Sequence, residues 1–320
     1  MALKKYISLK IIGFGILIWL LFHINIRQVV IILFKSNLFY TGGALILSPV
    51  YMYFKILRYH YFLIQQKVKI PFISTIQFSL AAMYLSFITP GRLGEVSKGY
   101  FIHKSYNAPL HRLFSSIVLD RLFDVYALLL TSLAGFIITQ SSTIDYTPMI
   151  ALITVTAALP FVFLIKSFRN SIILVIRAIQ KRLTGSDSWS GHLRIFFSEI
   201  NSLLNRKLIL SLAATFVSYT FFFASCHLLS LSIGINLSYF KIAFFIACSN
   251  ILSFLPISFA GIGTREASLV YLFSLENLSS ESALAFSTLV FSFTYILVGI
   301  IGFFCFMTLH HTTKSLPDDT

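Results

Sequence analysis

Long apolar runs alternate along this chain with short polar breaks, and most of the charge sits in the breaks. About 20 consecutive apolar residues suffice to cross the hydrocarbon core of a bilayer as a helix, so such runs predict membrane spans. Residues 11–24 predict a first, uncleaved span, continuing as an interfacial segment through position 34, and residues 38–54 a second. Residues 113–139, 149–165, 208–234 and 282–309 predict four more. Two further runs, 71–88 and 240–255, stop at breaks rich in Pro and Gly.

The distribution of Lys and Arg orients these segments, because basic residues collect on the cytoplasmic side. Lys4, Lys5 and Lys10 precede the first span, and Lys55, Arg58, Lys67 and Lys69 are read as a basic loop after the second. The run 71–88 is followed by Lys98, Lys104 and Arg112, so a full crossing there would leave a basic loop outside. A re-entrant hairpin from the cytoplasmic side is expected instead. Its irregular tip is tolerated at depth only inside protein or beside a cavity. The stretch 140–147 carries Asp145 and no base, as an external loop should, whereas 166–207 is read as a basic cytoplasmic loop lying on anionic lipid. After the second break come Glu276 and Glu281, followed by no Lys or Arg until Lys314, which predicts a second hairpin dipping in from outside. Both termini then lie in the cytoplasm.

The fold class expected is all-α integral membrane, one polytopic domain over 1–320. It has about six full transmembrane helices plus two re-entrant broken hairpins in an inverted repeat, repeat one at about 38–139 and repeat two at about 208–309. Composition agrees: 57% of residues are hydrophobic and 11% charged, and the mean hydropathy is +0.84. That leaves no room for a sizeable domain in water. The net charge of +14 is spread over loops rather than gathered in a basic domain, so a nucleic-acid partner is not expected. Cys226, Cys248 and Cys305 lie in apolar runs without metal-ligand spacing, and no disulfide framework, metal or cofactor is expected.

The two breaks use the same parts. Gly91, Arg92, Gly94 and Glu95 stand in the first, and Gly261, Gly263, Arg265 and Glu266 in the second. Broken helices facing each other near the midplane are where inverted-repeat transporters build their sites. Intramembrane ionisable groups are costly, at least ~2.5 kcal/mol each, and are seldom idle. Arg92 and Arg265 offer planar donors suited to phosphate. Alternatively, each Arg simply pairs with its neighbouring Glu. Asp120 and Asp124, four apart, share one helix face and need a cation, which Arg121, Arg92 or Arg265 would supply. No Gly-x-Ser-x-Gly, nucleotide loop or dinucleotide fingerprint occurs.

The stretch Thr89-Pro90-Gly91-Arg92-Leu93-Gly94-Glu95, the step Asp120-Arg121-Leu122-Phe123-Asp124, and the segment 256–266 resemble the lysylphosphatidylglycerol synthase transmembrane-region family. That flippase-like domain is also found in the bacterial multiple peptide resistance factor. The resemblance implies movement of an anionic phospholipid or polyprenyl-linked lipid between leaflets of the inner (cytoplasmic) membrane. The family's aminoacyl transferase domain is missing from this chain, so a synthase is not implied. A membrane-embedded accessory protein serving a separate lipid-modifying enzyme, or a lipid transferase, is the alternative.

Overall fold

The computed structural model describes residues 15–89, 94–138, 195, 198–200, 203, 208–253 and 261–314. Among these residues every regular element is a helix. A short helix α1 (Gly15–His23) meets α2 (Ile26–Phe34) at a bend of 84°. The bend falls where Asn25 starts α2 anew, its side-chain oxygen accepting from the Gln28 N–H at 3.3 Å. Asn37 does the same for α3 (Leu38–Gln65), accepting from the Phe39 N–H at 2.9 Å. Then follow α4 (Phe72–Ile88), α5 (Ser97–Tyr106) and α6 (Leu110–Ile138). After residues 139–207, of which few are described, come α7 (Leu208–Ser232), α8 (Tyr239–Ser253), α9 (Thr264–Ser274) and α10 (Ser280–Phe291). A single π turn (Ser292–Ile296) joins α10 to α11 (Leu297–Lys314).

Among the described residues three helices are long and apolar enough to cross a bilayer: Leu110–Ile138, Leu208–Ser232 and Ser280–Leu309, with the bent pair α1–α2 a fourth if it is one span. The shorter apolar helices α4 and α8 each stop at a break, as the sequence pattern required. The predicted span 149–165, the external loop 140–147 and nearly all of the basic loop 166–207 lie outside the described residues, as do the first lysines. One expectation is corrected. The second helix does not end at position 54 but runs to Gln65, so Lys55 and Arg58 belong to α3 and are buried rather than sitting in a basic loop. The helix can continue because both bases find carboxylates on α6, described below.

The second half repeats the element order of the first at one spacing. α3 and α7 end at Gln65 and Ser232, α4 and α8 begin at Phe72 and Tyr239, and α5 and α9 begin at Ser97 and Thr264, each pair 167 positions apart. The packing is crosswise. α3 and α7, the equivalent long helices, make the most extensive contact in the molecule. The first helix of each broken segment packs on the long helix of the other half: α4 on α11, and α8 on α6.

Apolar side chains gain little from leaving lipid for one another, so such helices associate through close backbone approach and hydrogen bonds across the seam. The α3–α7 seam shows both. Ser225 Oγ donates to the Ala44 carbonyl at 3.1 Å and lies 3.4 Å from Ser48 Oγ, while Ser218 Oγ donates to the Tyr51 carbonyl at 3.0 Å. All of these groups are buried. Ser225→Leu is expected to overpack this seam and destabilise the protein by about 1–3 kcal/mol. The midpoint of thermal or detergent unfolding reads it, and an unchanged midpoint would show that the seam is not the main joint.

Candidate functional site

Where α3, α5 and α6 meet, the chain buries a compact ionic cluster. Asp120 and Asp124, one turn apart on α6, face the same Arg58 of α3. Arg58 donates from Nε to Asp120 Oδ1 at 2.8 Å and from Nη2 to Asp120 Oδ1 at 2.6 Å and Asp124 Oδ1 at 2.7 Å. Its Nη1 donates to Thr215 Oγ1 on α7 at 3.0 Å, so one guanidinium ties three helices together. Arg58, Asp120 and Asp124 are each 1% exposed. The second oxygen of each carboxylate has its own base: Lys98 of α5 lies 3.0 Å from Asp120 Oδ2, and Lys55 of α3 lies 2.9 Å from Asp124 Oδ2. Lys98 also sits over the Tyr59 ring, 3.6 Å from its centroid.

Arg121, next to Asp120 on α6, reaches the first broken segment. It pairs with Glu95, at the start of the returning arm of the first broken segment, and lies 3.7 Å from Asp124 Oδ2. Glu95 is held there by the turn before it. Gly94 donates its N–H to Thr89 Oγ1 at 2.6 Å, and a Cβ on Gly94 would come within 2.3 Å of the Leu85 backbone. Only glycine lets the chain come back so close to α4. Gly91 and Arg92 lie outside the described residues.

The second break is built differently. Gly261 and Gly263 have φ of 83° and 88°, the left-handed region open to glycine. Glu266, in the first turn of α9, accepts from the Gly263 N–H at 2.6 Å and from Ser287 Oγ at 2.9 Å, and is paired with Arg265. Arg265 Nε donates to Ser287 Oγ at 3.1 Å, and its guanidinium lies over Phe291 and Tyr295, 4.9 and 5.5 Å from their centroids. The neighbour-pairing expected as the alternative therefore describes Arg265 and Glu266. Arg265 takes no part in the pairing of Asp120 and Asp124. The repeat spacing holds here too: Lys98 with Asp120 on one side corresponds to Arg265 with Ser287 on the other.

Between the two halves lies a cavity of about 50 Å³, room for a few waters or a small polar head. Lys55, Glu95, Arg121 and Asp124 line it from the first half. Tyr219, Asn250, Thr294 and Tyr295 line it from the second, with Tyr295 Oη donating to Asn250 Oδ1 at 3.3 Å. The cluster behind it holds four cations, Lys55, Arg58, Lys98 and Arg121, to three carboxylates, Glu95, Asp120 and Asp124, an excess of one positive charge among the described residues. Among those residues no three His, Cys, Asp or Glu side chains stand close enough to share a metal ion.

Sequence reasoning found both aspartates, Arg121 and Glu95, and missed Lys55, Arg58 and Lys98. A signal was present. Two acids spaced four apart on an apolar helix call for bases at matching spacing on a facing helix, and Lys55 and Arg58 have it. Removing Arg58 would leave two buried carboxylates short of their shared donor. Arg58→Ala is expected to cost about 3–5 kcal/mol of stability, with Arg58→Lys recovering part of it, as measured by thermal unfolding in detergent. An Arg58→Ala protein as stable as wild type would mean that the cluster does not hold the three helices together.

Comparison with known proteins places this architecture. A UPF0104 membrane protein of Pyrococcus horikoshii is 22% identical over 287 residues, covering 82% of this chain and 85% of its own. Another, from Methanocaldococcus jannaschii, is 22% identical over 231 residues, covering 69% of this chain and 94% of its own. No solved structure matches. The family described as lysylphosphatidylglycerol synthase TM region matches residues 7–302, nearly the whole length, including both broken segments and the ionic cluster, and the chain is a member of that family.

Proposed function

We propose that this protein carries a lipid with an anionic headgroup from one leaflet of the cytoplasmic membrane to the other, taking the head into the cavity above Lys55 and Arg121. The two bases that line the cavity, Lys55 and Arg121, set among polar groups from both halves, are the observation that carries the reading. Ionisable groups at depth are costly and seldom idle, and an anionic head entering the cavity gains charge-assisted contacts with both bases. Glu95, Asp120 and Asp124 space the cations and keep them from repelling one another. Arg265 and Glu266, paired with each other and both bonded to Ser287, hold the second break together.

The packing supports an alternating movement. Equivalent helices recur 167 positions apart and pair crosswise. The charge bias along the sequence has the two broken segments dipping in from opposite faces. That combination supports an inverted repeat of the kind by which secondary transporters rock one half against the other around a midplane site. Both termini are then cytoplasmic, and the cavity is exposed to each side in turn.

The test is movement of unmodified lipid. With protein reconstituted into vesicles of phosphatidylcholine and phosphatidylglycerol, wild type should bring fluorescent phosphatidylglycerol to the outer leaflet, read by chemical quenching from outside. Lys55→Met and Arg121→Met should each slow it about tenfold or more, since each removes a charge contact of order 1.5–3 kcal/mol. Equal rates in all three proteins would remove the cavity as the site. A chemically altered lipid recovered from the vesicles would identify a transferase instead.

A further inference from the structure

A second, smaller space lies behind the charged cavity. Its volume is about 10 Å³, enough for one water, and its polar lining comprises Lys55, Tyr59, Ser79, Glu95, Lys98 and Asp120. Lys55 and Glu95 border the cavity as well, so the two spaces share a wall. Two hydroxyls of that lining have no hydrogen-bond partner: Tyr59 Oη of α3 and Ser79 Oγ of α4. Their residues are 1% and 3% exposed. A buried hydroxyl left unmet costs about 1–3 kcal/mol, and one water bonded to both removes that cost.

The ionisable groups around Glu95 differ in what they can do with a proton. On α3 they are Lys55 and Tyr59, on α5 Lys98, on α6 Asp120, Arg121 and Asp124, and across the cavity Tyr219 and Tyr295. Asp120 is held by Arg58 and Lys98, and Asp124 by Arg58 and Lys55. An arginine keeps its proton in any protein setting. Glu95, paired with Arg121, is the one carboxylate that borders both spaces. Lys98 borders only the smaller one. It bonds Asp120 Oδ2 at 3.0 Å and covers the Tyr59 ring, and an ammonium has three N–H groups to give. The second half repeats none of this: 167 positions on from Tyr59, Ser79 and Glu95 stand Cys226, Ile246 and Ile262.

We propose that Glu95 is a proton-binding site, backed by a water held between Tyr59, Ser79 and Lys98, and that one proton enters with each anionic head. The second part rests on the reading of the cavity as a headgroup site. In a cavity of about 50 Å³ an anion seated on Lys55 and Arg121 lies against the Glu95 carboxylate, and two like charges so close repel. A hydronium ion from the cavity gives its proton to a Glu95 oxygen and leaves as water; no electrons are exchanged. The repulsion is then gone, and the pair with Arg121 loosens so that the base can turn its charge to the head. The water behind accepts from Lys98 and from the new Glu95 O–H while donating to Tyr59 Oη and Ser79 Oγ, which meets both hydroxyls and the neutral acid together.

The experiment is infrared difference spectroscopy of the full chain in nanodiscs, stepped from about pH 8 to about pH 5. A protonated-carboxyl stretch should appear in wild type and vanish in Glu95→Gln. Its frequency should shift in Tyr59→Phe, which removes one hydroxyl holding the water, and in Ser79→Val, which fills the space; thermal unfolding confirms that each variant is folded. A band that survives Glu95→Gln, or no band in wild type, would overturn the proton site. A band indifferent to Tyr59→Phe and Ser79→Val would overturn the water behind it. Coupling is read in vesicles with fluorescent phosphatidylglycerol. One proton per lipid makes a gradient of about one pH unit worth about tenfold in leaflet ratio. Wild type should reach that asymmetry, and Glu95→Gln should level it. Movement indifferent to the gradient would sink the coupling, whereas a Glu95 band without any lipid movement would sink the headgroup reading and the coupling together, leaving the proton site in place.

Discussion

Arg58 is the residue on which the rest of the arrangement depends. It lies in a protein whose surroundings are hydrocarbon and whose interior is packed aromatic and aliphatic side chains, and it is almost fully enclosed. Its three nitrogens are each committed: to both aspartates of α6, to the Asp120 carbonyl and to Thr215 of α7. Such a group has few alternatives in an apolar medium, since every donor left unmet costs about 1–3 kcal/mol or more. The geometry of α3, α6 and α7 is therefore set by the reach of one planar guanidinium. With those helices placed, Lys55 and Lys98 fall against the remaining carboxylate oxygens, and Arg121 is left to face Glu95 and the cavity.

A fully paired ionic cluster would be stabilising scaffolding and nothing more. Among the described residues this one counts four cations to three carboxylates, and part of it borders the cavity. Lys55 and Arg121 line the cavity, while Arg58, bound to both aspartates, does not. The division separates a base enclosed by helix-to-helix bonds from two that border the cavity while paired with Asp124 and Glu95. The second half has the opposite character. Arg265 is shared between Glu266, Ser287 and two aromatic rings, which leaves its break self-contained. Equivalent positions thus carry unequal chemistry: an ion pair in one half is an arginine and a hydroxyl in the other.

Much of the fold was legible in the sequence because bilayer and backbone together permit few solutions. Runs of apolar residues fixed α6, α7 and the last helix to within a few positions, and Pro and Gly marked both breaks. What misled was charge counting at the end of α3. Lys55 and Arg58 obey the positive-inside pattern when read along the chain, and nothing local separates them from Lys67 and Lys69. Their burial is a long-range fact, decided by carboxylates some 60 residues away on α6. Lys98 was hidden for the same reason, standing in a polar helix whose partner lies on another element. Glu266 was readable as a helix-start residue from its place three positions after Gly263, and the structure uses it so.

The π turn in the last helix has a consequence for the relation between the halves. Asp120 to Gly135 on α6 and Ser287 to Gly302 on the last helix span the same number of residues, and each glycine sits in a close interhelical contact, against Phe244 and Leu80 respectively. Only the second path contains a π turn. Since a π turn takes up one residue more than an α turn, the last helix beyond it is set back by about 100° of helical phase relative to its counterpart. The two halves are thus mechanically out of step, one wound tight and the other holding a residue of slack.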